Sequence, residues 1–71
     1  MELKNVVSSN IAAIGYDQNS STLEVRFNNG GIYHYHNVPL SIYNNLMAAS
    51  SHGGYLASHI IKGGYRYTKI R

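Results

Sequence analysis

Two stretches of this chain carry side chains whose type and spacing could do chemistry. One is Ser50-Ser51-His52-Gly53-Gly54; the other is the tail, where Lys62, Arg66, Lys69 and Arg71 are interleaved with Tyr65 and Tyr67. Small residues just ahead of a helix let a ligand approach the backbone, and the free N–H groups and helix dipole there favour negative charge. Arg and Lys pair with phosphates, while bases or other planar rings stack on tyrosine. The residues expected to hold a ligand are therefore Ser50, Ser51, His52, Gly53, Gly54, Lys62, Tyr65, Arg66, Tyr67 and Lys69. The ordinary alternative is a capped turn followed by a solvated basic end, with both tyrosines packed on a sheet.

Other chemistries find less material. Glu2, Asp17 and Glu24 are the only carboxylates, scattered through the N-terminal part, so a catalytic acid pair is hard to build. Serines and histidines are present, but no strand–elbow–helix pattern frames a serine nucleophile, and the chain reads as a non-enzyme. His34 and His36 share a strand face, and His52 and His59 are compatible with one helix face. A zinc site usually needs three or four ligands with supporting partners. With no cysteine and few acids, the histidines read as exposed or hydrogen-bonded, and no metal or cofactor is expected.

These residues need a scaffold, and the sequence outlines one. Leu23, Val25 and Phe27 alternate with Glu24, Arg26 and Asn28, the period-two pattern of a strand buried on one face. Asn29-Gly30, with Gly31 behind it, supplies positive φ for a hairpin. On the return strand, residues 32–37, Tyr33 and Tyr35 point to one face and His34 and His36 to the other. Residues 11–17 form an earlier strand, with Ala12, Ile14 and Tyr16 on one face and Ile11, Ala13 and Gly15 on the other. Residues 1–10 are an edge strand or an ordered arm. Pro39 opens a helix running through Ser50, with Ile42, Tyr43, Leu46, Met47 and Ala49 at helical spacing. Ser51 caps a shorter helix to about Ile61, with Tyr55, Leu56, Ile60 and Ala57 at core spacing, and Gly63-Gly64 stops it. The tail is a final strand or an extended arm. The fold class is α+β: a small antiparallel β-meander of three to four strands covered by two short helices.

Bulk properties agree with a single domain over residues 1–71, close to the size where one core is marginally stable by itself. No apolar run approaches the roughly 20 residues needed to span a bilayer, and the N-terminus lacks a signal-peptide layout. A cytoplasmic location is expected. Charge is uneven: residues 1–26 sum to −1, residues 27–61 hold no Asp, Glu, Lys or Arg, and residues 62–71 sum to +4, which gives the total of +3. An uncharged polar surface costs little to desolvate and suits a ligand or subunit contact. Seven tyrosines against one phenylalanine put hydroxyls on the apolar surface; Tyr16, Tyr33, Tyr35 and Tyr43 are expected in the sheet–helix core with hydroxyls at its rim.

At Tyr33-His34-Tyr35 the sequence meets a known pattern. With Ser8-Ser9, Ile14-Gly-Tyr-Asp17, Leu23-Glu-Val-Arg-Phe27, Val38-Pro39, Tyr43, Ala49-Ser50, Gly53, Tyr55, Ile60 and Tyr65, the chain resembles the KTSC domain family over almost its whole length. That family occurs at the C-terminus of some lysyl-tRNA synthetases and as free-standing bacterial and phage proteins. The resemblance implies a small sheet packed by helices and suggests RNA binding by association with a synthetase. Fold alone does not deliver function. Read as a free-standing chain, this one is expected to be a non-catalytic binding module for a phosphate-bearing nucleotide, self-associating as a homo-oligomer with the ligand at a subunit boundary. In its phage version it would act in the host cytoplasm by sequestering a cyclic nucleotide signal. The alternatives are binding of tRNA-like or single-stranded RNA, and a protein–protein adaptor or inhibitor.

Overall fold

The alternation at residues 22–27 becomes the central strand of the sheet. In a computed structural model describing residues 1–71, the strands are β1 (Leu3–Asn5), β2 (Ile11–Asp17), β3 (Thr22–Phe27), β4 (Ile32–Tyr35) and β5 (Tyr67–Lys69). They form one sheet in the order β1-β2-β3-β4-β5, with every neighbouring pair antiparallel. The N-terminal segment and the tail both pair as edge strands, so the meander has five strands, more than the three to four expected from the sequence.

Helix α1 (Leu40–Ala48) and helix α2 (His52–Tyr55), which continues as a π-helical segment over Leu56–Ile61, cover one face. Pro39 sits one residue ahead of α1 as its cap, in extended backbone, where a missing N–H costs nothing. Ile11 and Ile14 of β2, Leu23 and Val25 of β3 and Tyr35 of β4 meet Leu46, Leu56 and Ile60 from the helices, with Val38 from the connection. Of the four tyrosines expected in the core, Tyr35 is buried there, whereas Tyr16, Tyr33 and Tyr43 pack half-buried at its margin. Tyr16 stacks on Tyr43 with centroids 4.9 Å apart, and its hydroxyl donates to the Val38 carbonyl. Ala57, expected at core spacing, is exposed, whereas Leu56 and Ile60 are buried.

Two local details differ from simple patterning. Strict alternation puts Ile11 and Ile14 on opposite faces, yet both are fully buried in the same core. The register explains this: Ile11 pairs with Phe27 and Ala13 with Arg26, so Ala12 is an extra residue and the strand changes face at a bulge. The β3–β4 hairpin needs only one left-handed residue, Gly30 at φ +93°. Its N–H donates to the Phe27 carbonyl, the Phe27 N–H donates to the Gly31 carbonyl, and Asn29 Oδ1 accepts from the Gly31 N–H. No helix is long and apolar enough to cross a membrane.

Candidate functional site

Pairing of β5 onto β4 gathers the rings of three strands onto one patch. Tyr33 lies across from Lys69 and Tyr35 across from Tyr67, so these four side chains share the helix-covered face. Tyr33 and Tyr35 stack at 6.4 Å, Tyr67 lies 5.8 Å from Tyr33 and 6.1 Å from Tyr35, and Phe27 meets Tyr33 edge-on at 5.6 Å. The helical layer ends at Ile61 before reaching this edge. The chain then turns back through Gly63-Gly64, with Gly64 at φ +83°, and enters β5. The gap left between helix end and sheet edge is an open cleft of about 710 Å³. Tyrosines and Phe27 form its floor, Ile61 and Tyr65 one wall, and the Asn29–Gly31 hairpin with Lys69 and Arg71 its far end.

The cleft is polarised along its length. Successive same-face residues on a strand are about 7 Å apart, so Tyr67 and Lys69 run from an aromatic end to a cationic end, and Arg71, beyond the end of β5, also lines the cleft. No Asp or Glu side chain lines the cleft. Glu24 takes the one Arg–carboxylate ion pair, with Arg26, and also bonds His34, which leaves Lys69 and Arg71 without an ionic partner. Burial, and then the neighbouring phenols of Tyr33 and Tyr67, push the Tyr35 phenol above the ordinary tyrosine value. It therefore stays protonated at neutral pH and is available as a hydrogen-bond donor.

The structure separates the two stretches that the sequence suggested would act together. Tyr65, Tyr67 and Lys69 line the cleft; Ser50, Ser51, His52, Gly53, Gly54, Lys62 and Arg66 do not. Ser51 is a helix cap, its Oγ accepting from the Gly54 N–H at 3.1 Å, and its carbonyl accepts from the Tyr55 N–H. The α-helical stretch there is only one turn long, His52–Tyr55. The β1–β2 turn closes the bend from outside, since a Cβ on Gly53 would lie 2.6 Å from Asn10 Oδ1. His52 Nδ1 is spent on the Leu46 carbonyl at 2.9 Å. Lys62 caps the π-helical segment and is exposed. Arg66 precedes β5 at a position whose carbonyl accepts from the His36 N–H, and strand alternation turns its side chain to the opposite face from Tyr67 and Lys69.

That opposite face holds a second polar group. Glu24, only 9 % exposed, accepts from Arg26 Nε at 2.7 Å and bonds His34 Nε2 at 2.7 Å, while His36 Nε2 bonds Thr68 Oγ1 at 2.8 Å. Burial pushes the Glu24 carboxyl up, but the hydrogen bonds and charges of Arg26 and His34 outweigh it and hold the carboxyl below its usual value. His59 stacks on Tyr55 at 4.1 Å. No three side chains are grouped to hold a metal.

Sequence reasoning missed Phe27, Asn29–Gly31 and Ile61 as cleft residues, counted Arg71 only among the tail cations, and assigned Tyr33 and Tyr35 to the core alone. The signal was present in part: Tyr65, Tyr67 and Lys69 recur at every second residue, and a strand with that pattern presents rings and a charge on one face beside the two tyrosines of its neighbour.

The chain matches the KTSC domain model over residues 7–69. It belongs to the KTSC domain family. This KTSC domain is 38% identical over 64 residues to a protein of Tsukamurella paurometabola, spanning 90% of this chain and 94% of that one. Over 60 residues it is 37% identical to a lysine–tRNA ligase of Nostoc, covering 84% of this chain but 10% of the ligase. The crystal structure of a KTSC domain protein from Yersinia pestis superposes with a TM-score of 0.90 at 37% identity, over 99% of this chain and 97% of that one.

Proposed function

We propose that this KTSC domain is a non-catalytic binding module for a phosphate-bearing nucleotide, held in the tyrosine cleft. One observation carries the reading: a continuous aromatic floor leads to two unpaired cations at one end only. A planar base stacks over Tyr33 and Tyr67, with Tyr35 beneath them in the floor, gaining about 1–3 kcal/mol per stacked base. The phosphate then lies near Lys69, one same-face step of roughly 7 Å from Tyr67, with Arg71 beside it in the lining. Apolar walls lower the local dielectric and strengthen that pairing. The most specific version of this reading is sequestration of a nucleotide signal by a self-associating protein.

Single-stranded or tRNA-like RNA is the second reading, supported by the similarity to part of a lysine–tRNA ligase. A strand carries a phosphate at every nucleotide, whereas the cations here cluster at one end, which favours a compact ligand. Calorimetric titration with mononucleotides, ADP-ribose, cyclic dinucleotides and a short RNA separates the two. A compact nucleotide should bind with shallow salt dependence, and RNA with affinity that falls steeply because several phosphates are neutralised together. Silence across the whole panel ends both readings and leaves the protein-adaptor alternative.

A further inference from the structure

The cleft opens on a sheet edge that has unused hydrogen-bonding groups. Between β4 and β5, the His36 N–H donates to the Arg66 carbonyl and the Ile70 N–H donates to the Ile32 carbonyl. Backbone groups alternate sides along an antiparallel strand, so Arg66, Thr68 and Ile70 bond inward, and the N–H and C=O of Tyr67 and Lys69 point away from the sheet. Large apolar side chains flank this edge: Tyr67 is 62% exposed and Ile70 52%.

From this edge we infer that β5 pairs antiparallel with β5 of a second copy, about a two-fold axis at Thr68, making one ten-stranded sheet in which each copy places its Lys69 beside the other's Tyr67. The register follows from chemistry. Only a pairing centred on Thr68 uses both outward-facing residues, giving four backbone hydrogen bonds between Tyr67 and Lys69 of opposite copies. Moving the axis to Lys69 sets two lysines opposite each other, which is unfavourable. Moving it to Tyr67 takes Lys69 out of the pairing of β5 with β5. A short edge strand bearing a lysine discourages indiscriminate pairing; here the lysine has a defined partner, the face of a tyrosine ring. Tyr67 and Lys69 lie on the cleft face, so the two clefts join across the axis and each gains a cation from the other chain.

The dimer stands on edge geometry alone; the ligand role of the incoming Lys69 rests on the nucleotide reading. The test exploits the absence of cysteine from the chain. A residue on the axis meets its own copy at about 4.5 Å between Cα atoms in a non-hydrogen-bonded pair, within the range a disulfide needs. Thr68→Cys should therefore oxidise to a covalent dimer at least about tenfold faster than Asn45→Cys on the exposed side of α1, because the effective concentration within a dimer is of millimolar order. Tyr67→Cys or Lys69→Cys alone places the thiols of opposite copies on a diagonal of roughly 7–8 Å and should cross-link slowly, whereas a mixture of the two should yield the heterodimer. Equal rates for Thr68→Cys and Asn45→Cys overturn the interface, and fast self-cross-linking of Tyr67→Cys overturns the register. Should Thr68→Cys not fold, sedimentation equilibrium of the unaltered chain decides, and a monomer up to millimolar concentration overturns the dimer. All of this is done without nucleotide. Then, comparing AMP affinity of the locked and reduced Thr68→Cys protein tests the shared Lys69: tighter binding by the locked form supports it and equal affinity overturns it. A protein that cross-links as expected but binds no nucleotide refutes the ligand reading and leaves the dimer intact.

Discussion

Tyr35 serves the core and the cleft at once, and replacing it in two ways separates those roles. The residue is 4% exposed, belongs to the buried cluster and stacks against Tyr33 at 6.4 Å. Tyr35→Ala removes the ring and leaves a void, a change that typically costs about 3–5 kcal/mol. A chain of 71 residues has about 4–11 kcal/mol in total, at 0.05–0.15 kcal/mol per residue. The variant should be unfolded or nearly so at room temperature, with a Tm lowered by at least about 12 °C, since each kcal/mol moves a domain of this size by about 4–8 °C. Tyr35→Phe keeps the packing. The hydroxyl is no buried orphan and opens on the cleft, so its loss should shift Tm by no more than a few degrees. Circular-dichroism melts of both variants, with nucleotide titration of the phenylalanine variant, read the two roles independently. A Tm drop under about 5 °C for Tyr35→Ala would refute the argument that this ring supports the core.

Parity along β5 gives a sharper contrast: Lys69→Ala should weaken nucleotide binding with Tm unchanged, whereas Arg66→Ala, on the opposite face, should alter neither. Titrating each against the same ligand checks this, and equal losses from both would contradict the assignment of faces. The Tyr35 phenol is raised, so the stability it contributes is complete below the unfolded value of 10.0 and is lost as pH rises through the folded one. Alkaline melts should therefore show Tyr35→Phe less sensitive above pH 10 than the parent. Glu24 is held low, so its contribution is complete above the unfolded value of 4.5 and is lost as pH falls through the folded one. Glu24→Gln should flatten the acid limb of a Tm–pH curve, and an unchanged limb would place the acid sensitivity elsewhere. Gly63→Ala should lower Tm by several degrees, because the new Cβ would sit 2.3 Å from the His59 carbonyl oxygen, a backbone atom that cannot swing aside; differential scanning fluorimetry would register it.

Much of the architecture was readable because it rests on short-range periodicity. Leu23, Val25 and Phe27 against Glu24 and Arg26, the hairpin at Asn29–Gly30, the proline ahead of α1 and the Ser51 cap all lie where local sequence rules put them. The bulge at Ala12 was not readable, because an inserted residue is set by pairing with β3 and leaves no mark in the composition of β2. The candidate site was half legible. Tyr65, Tyr67 and Lys69 could be singled out by residue type, but Ser50–Gly54 looked equally suited to an anion until the Ser51 Oγ and the Asn10 side chain were seen to occupy that bend.

What the sequence determined by itself was the inventory and the local rules: the meander, the helical cover, the family and the lack of acidic groups after Glu24. Tertiary structure alone decided which rings meet. Tyr33 and Tyr67 are 34 residues apart and become neighbours only when β5 docks on β4. The physical reason is that a helix ending at Ile61, two glycines and an edge strand together leave the β4–β5 end of the sheet open beyond its cover. That mismatch makes the cleft, and no local pattern encodes the width of a sheet relative to the helices lying on it.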